Sequence, residues 1–124
     1  MNDRQVPTGG EPEVVDLDGL DRRGPDGVVW SLPHGGDLDA NLVKLRPGAK
    51  IAPHDNDEVD VLIVVVAGSG VAVIDGAEHV LRAGRLLLVR KGTRRSLAAA
   101  PGEELVYLTV HRARAGLRIS PRPG

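Results

Sequence analysis

The side chains whose types suit chemistry on a small molecule are His54, Asn56, Tyr107 and, elsewhere in the chain, Arg95. An imidazole ionises near neutrality, so His54 can act as a general base or as a hydrogen-bond donor to a ligand. Asn56, two residues on, can orient that ring or read a ligand through its amide. Tyr107 alternates with Leu105, Thr109 and His111, while Val106, Leu108 and Val110 take the opposite face of the same run. If the first face looks into a core, Tyr107 and His111 join His54 as polar groups of one pocket; if it looks outward, they serve a surface or a dimer contact. A catalytic acid–base pair of His54 and Tyr107 stays open on this reading. His34, in the loop-like stretch Pro33-His34-Gly35-Gly36, and His79, beside Glu78, are both expected to be exposed.

Positioning these groups falls to short strands separated by turn residues. The runs are Val14–Leu17, Val28–Leu32, Leu38–Arg46, Val59–Val66, Gly70–Asp75, Ala77–Arg82, Leu86–Arg90, Arg95–Ala99 and Glu104–Arg112. No stretch keeps a helical period, so the chain reads as all-β, a barrel or sandwich. Asp75-Gly76 has the composition of a two-residue hairpin, and Pro47-Gly48, Lys91-Gly92 and Pro101-Gly102 mark further turns. Gly68-Ser69-Gly70 is read as one more turn between strands. Asn41, Val43 and Leu45 are expected to face inward, because Lys44 and Arg46 alternate with them and prefer solvent. Trp30 is expected in the core or at an interface. A chain of 124 residues buries one core. We divide it into a polar N-terminal segment, residues 1–13, expected to lack order; one barrel, residues 14–112; and a basic tail, residues 113–124.

Composition excludes several classes of function. The net charge is −1, and Trp30 and Tyr107 are the only aromatic residues, so neither an electrostatic footprint nor a stacking platform for nucleic acid is present. There are no cysteines, which removes disulfides and thiolate metal sites and makes a reducing cytoplasm the expected compartment. The apolar run Val61–Ala67 falls far short of the roughly 20 residues needed to span a bilayer, and no membrane partner is expected.

The stretch Pro47-Gly48-Ala49-Lys50-Ile51-Ala52-Pro53-His54, with the residues after it up to Gly68, resembles the first cupin motif, in which a glycine precedes His-x-His and a later glutamate and glycine. Gly48 and His54 fit its spacing. Gly84 to Ala99 resembles the second motif, with Gly92 in place. The resemblance covers residues 48–99 and implies a cupin double-stranded β-helix, a jelly-roll-like barrel. In the family two histidines and a glutamate of the first motif and a histidine of the second hold one divalent metal. Here the equivalent positions are His54, Asn56, Val61 and Arg95, and Arg90 and Ala99 replace the family's proline and asparagine. A guanidinium is always protonated and has no lone pair to donate, so Arg95 cannot coordinate a metal and would repel one beside it. Asp60 is one residue out of phase with the inward side of its strand. No metal ligand and no cofactor are therefore expected.

An arginine enclosed by such a barrel needs an anion. Either a ligand carboxylate or phosphate takes its bidentate fork, or Asp57, Glu58 or Asp60 pairs with it structurally. The expected reading is a cupin-fold protein with a metal-free pocket for a small organic anion, bound by His54, Asn56, Arg95 and Tyr107. Two alternatives stand beside it: a metal-dependent cupin enzyme of dioxygenase or isomerase type, and a non-catalytic sensor or structural cupin. The run Val61–Val66, apolar on both faces, is expected to be covered by a second copy in a homodimer.

Overall fold

The computed structural model describes residues 10–34 and 36–113; expectations for residues 1–9 and 114–124 lie outside the described residues. Among the described residues eight strands succeed a short 3₁₀ turn at Leu17–Gly19: β1 Gly27–Ser31, β2 Leu38–Leu45, β3 Lys50–Asp55, β4 Val61–Ile74, β5 Ala77–Arg82, β6 Leu86–Val89, β7 Arg94–Ala99 and β8 Leu105–Arg112. All their pairings are antiparallel, and the sheet runs β1-β2-β8-β4-β7-β3, with β5 and β6 also paired to β4. The fold is the curled, nearly all-β architecture of the double-stranded β-helix.

β4 organises the barrel. Its first half pairs with β6 and β8, and its second half with β5 and β7, so one 14-residue strand bends from one side of the barrel to the other. This corrects the expected break at Gly68-Ser69-Gly70. The glycines there end no strand; they let other backbones approach at the corner. Gly68 has φ +79°, and a Cβ on it would collide with the Glu104 carbonyl, while one on Gly70 would collide with that of Ala98. A shift of register between Val65 and Ala67 against β8 sharpens the bend.

Three other expectations are corrected. The segment Val14–Leu17 forms no strand: the Asp16 carboxylate accepts the Asp18 N–H, and Gly19 N–H donates to the Asp16 carbonyl, a local turn that competes with extended pairing. β3 forms where the residue pattern suggests only turn and motif. It is an edge strand paired only to β7, which is why Pro53 is tolerated within it and why its register shifts between Ile51 and His54. Lys44, expected in solvent, is buried; its Nζ donates to the Gly24 carbonyl at 2.6 Å and lies 4.0 Å from Asp26. Leu42 and Val106, which alternate with inward residues, are buried too, so the outer face of β2 and β8 is covered where these two and Lys44 stand.

The hairpin at Asp75-Gly76 forms as expected, with φ of 48° and 85° matching a two-residue turn with both central residues left-handed. Inside the barrel, Val43, Leu45, Val65, Ala72, Leu81, Leu97, Ala99 and Leu105 form a continuous core. Trp30 is half-buried on the edge strand β1, opposite Leu42. His34 and His79 are exposed.

Candidate functional site

Registration on β3 and β7 builds one wall of the site. His54 is the direct partner of Arg95, and Ile51 of Leu97. Facing them, β8 turns Leu105, Tyr107, Thr109 and His111 inward, each 8% exposed or less. The orientation left open by the sequence is thereby decided: Tyr107 and His111 look into the barrel.

Between these walls lies a cavity of about 290 Å³ lined by Gly27 and Val28 of β1, Val43 of β2, Ile51 and His54 of β3, Val61 and Ile63 of β4, Arg95 and Leu97 of β7, and Tyr107, Thr109 and His111 of β8. Val28 is 40% exposed, so the wall reaches the surface at β1. Among the described residues, one guanidinium, two imidazoles, a phenol and a hydroxyl line the cavity, and no carboxylate does.

Arg95 is 5% exposed, and it is not without a partner. The two histidines are oriented alike. His54 Nδ1 lies 3.2 Å from the Ala52 carbonyl and His111 Nδ1 2.8 Å from that of Arg112. A carbonyl only accepts, so Nδ1 donates in each case and Nε2 is the nitrogen left for a ligand: an acceptor in the neutral ring, a donor to a carboxylate in the imidazolium. Burial pushes the Tyr107 phenol well above its usual range. The phenol therefore stays protonated and serves as a hydrogen-bond donor, not as a base.

Asn56 is not part of the lining. Its side-chain oxygen accepts the backbone N–H of Glu58 at 2.9 Å and of Val59 at 3.3 Å, which ties it into the turn before β4. A short amide two residues from a chain reversal has that local use, and the Asn56 oxygen is engaged in it. Val61 lines the cavity with hydrocarbon alone. Asp60 is exposed and accepts the Lys91 N–H at 2.8 Å, in keeping with its phase on the strand. The four positions that hold a metal in proteins of the resembling kind thus supply one imidazole, an amide whose oxygen is taken up by a turn, a hydrocarbon and a cation, and this set does not fit a metal. Among the described residues no group of three or more His, Cys, Asp and Glu could hold a metal ion.

Gly27, Val28 and Ile51 belong to the wall although the sequence reading does not include them. For Ile51 a signal exists: it is the one large apolar side chain in Lys50-Ile51-Ala52-Pro53-His54-Asp55, and in the structure it and His54 are the residues of β3 that are not exposed.

Comparison with known proteins places these features. A family model described as a cupin domain matches residues 41–111. Among solved structures, a protein from Bacillus halodurans is 17% identical with a TM-score of 0.73, the match covering 88% of this chain and 86% of that one. A protein from Thermus thermophilus is 20% identical with a TM-score of 0.70, covering 84% of this chain and 100% of that one. A cupin protein from Bacteroides fragilis is 19% identical with a TM-score of 0.66, covering 92% of each chain. At these identities the likeness is one of fold. No curated protein matches the chain.

Proposed function

The chain belongs to the cupin domain family, and we propose that its barrel is a metal-free binding pocket for a small organic anion, with Arg95 and the neighbouring His54 as the groups that hold it. One observation carries the proposal: a buried guanidinium, Arg95, stands in the wall of an enclosed cavity beside His54 and opposite Tyr107, Thr109 and His111. Such a wall attracts anions and repels cations, and the enclosed setting strengthens a charge-assisted hydrogen bond to Arg95.

Catalysis is a narrower reading than binding. Tyr107 is unsuited to accept a proton, so an acid–base reaction here falls to His54 and His111, each with an oriented ring. A metal-dependent dioxygenase or isomerase reading lacks support in the donor set described above.

The remaining parts of the proposal are a homodimer and a cytoplasmic location. The first is supported by apolar side chains left on the outer side of β4 and β6, the second by the lack of cysteine. No helix among the described residues is long and apolar enough to cross a membrane.

The test is a thermal-shift panel of carboxylates, phosphate and divalent metals, with elemental analysis of the purified protein. Stabilisation by an anion that vanishes in Arg95→Ala supports the proposal. Stoichiometric metal, or stabilisation by metals alone, contradicts it.

A further inference from the structure

The polarity of the cavity wall is graded along the barrel, and the gradient can be read from register. At the corner of β4, Gly68 pairs with Leu105 and Gly70 with Ala99. Leu105 and Ala99 are 5% exposed or less, and with Leu45 they pack this end shut. The next inward layer pairs Val65 with Tyr107 on one side and Ala72 with Leu97 on the other, with Ile51 opposite Leu97 and Val43 opposite Tyr107. One layer further from the corner come Thr109 opposite Ile63, and Arg95 opposite both Ile74 and His54. His111 lies beyond Thr109 on the same face of β8. Charge and imidazole therefore gather far from the closed end, and hydrocarbon gathers near it, with the Tyr107 hydroxyl as the polar group of the inner layer.

From this gradient we infer that the ligand is an amphipathic monocarboxylate, its carboxylate on Arg95 and His54 and its hydrocarbon body directed inward against Leu97, Ile51 and Val43. The inference rests on the anion-pocket reading and narrows it to one chemical class. A second carboxylate, a phosphate ester or a sugar acid would have to place charge or several hydroxyls in the inner layer, where Tyr107 alone offers a hydrogen bond; the rest would be desolvated without compensation. A monocarboxylate with an apolar body meets each layer with its like. The cavity of about 290 Å³ limits its size. At about 30 Å³ per water molecule, which has one non-hydrogen atom, the space admits on the order of ten non-hydrogen atoms.

The experiment is calorimetric titration of the wild type, Arg95→Met and Ile51→Ala with acetate, butyrate, hexanoate, decanoate, heptanedioate and inorganic phosphate. Ile51 is on the edge strand β3 and only partly buried, so its truncation threatens folding less than a core substitution would. In the wild type, affinity is expected to rise about fourfold per methylene from butyrate to hexanoate and to stop rising before decanoate. Ile51→Ala is expected to move the preferred length upward by one or two carbons, and heptanedioate and phosphate to bind at least tenfold more weakly than hexanoate. If phosphate, acetate or heptanedioate binds as tightly as hexanoate and Arg95→Met abolishes that binding, the amphipathic class is overturned while the anion pocket stands. If no anion binds in an Arg95-dependent way, both fall.

Discussion

His54 and Arg95 are direct partners across the β3–β7 ladder, an imidazole with an anchored Nδ1 beside a guanidinium that is 5% exposed. Cross-strand partners on one face have Cβ atoms about 4.5–5.5 Å apart, so both side chains can reach a single bound group. The guanidinium suits a carboxylate, and the imidazole joins it as a donor in its protonated form. A metal would meet repulsion from one of them.

Replacing Arg95 by methionine keeps much of the stem's volume and removes the charge. Loss of a charge-assisted hydrogen bond of about 1.5–3 kcal/mol is expected to weaken anion binding at least tenfold. Isothermal titration of the folded variant, with circular dichroism as a control for folding, checks this.

Tyr107→Phe tests the state of the phenol through pH. Burial raises the phenol's ionisation range in the folded state above its unfolded range. The folded protein therefore holds this proton where the unfolded chain loses it. The resulting stability is fully present below the unfolded value of about 10 and is lost as pH rises from there toward the folded value. Denaturant melts of wild type and Tyr107→Phe should run parallel up to about pH 9. Above about pH 10 the wild type should lose stability more steeply than the variant.

The two left-handed glycines of β4 and its hairpin should respond differently to alanine. Gly76 has φ +85° and open space around a would-be Cβ, so Gly76→Ala costs about 1 kcal/mol of backbone strain. Gly68 combines φ +79° with a collision against the Glu104 backbone, and Gly68→Ala is expected to cost at least ~2 kcal/mol more. Chemical denaturation of both variants compares them directly.

These two glycines also mark the limits of what is legible in the sequence. The hairpin at Asp75-Gly76 is legible because both residues tolerate positive φ and flank alternating runs. Gly68 is not, because the same composition serves a turn and a close approach of backbones, and only the neighbouring strand distinguishes them. His54 and Arg95 can be placed from the spacing of Gly48 and Gly92, whose φ values are 78° and 85°. Asn56 cannot, because whether its amide reads a ligand or closes a turn depends on the path of the two residues after it. Lys44 departs from its expected place for a tertiary reason. Alternation shows which side chains share a face, but not that the segment before β1 supplies the Gly24 carbonyl that receives its ammonium.

The outer side of β4 and β6 is the surface on which a second copy is expected to pack. Leu62 pairs with Leu88 and Val64 with Leu86, and β8 extends the rows through Val110 and Leu108. Leu86 is 57% exposed and Leu88 43%. Contiguous apolar side chains of this kind favour burial against another face. Leu86→Glu should shift sedimentation from dimer to monomer at micromolar concentration; a wild type that sediments as a monomer would remove the dimer from the account.

The central claim is an anion pocket that works without metal, and calorimetric titration of hexanoate into chelator-treated wild type and Arg95→Met tests it most directly. The account predicts saturable binding of one hexanoate per chain in the wild type and at least a tenfold loss in the variant. Binding that appears only when a divalent metal is restored, or that is equal in the two proteins, would contradict it.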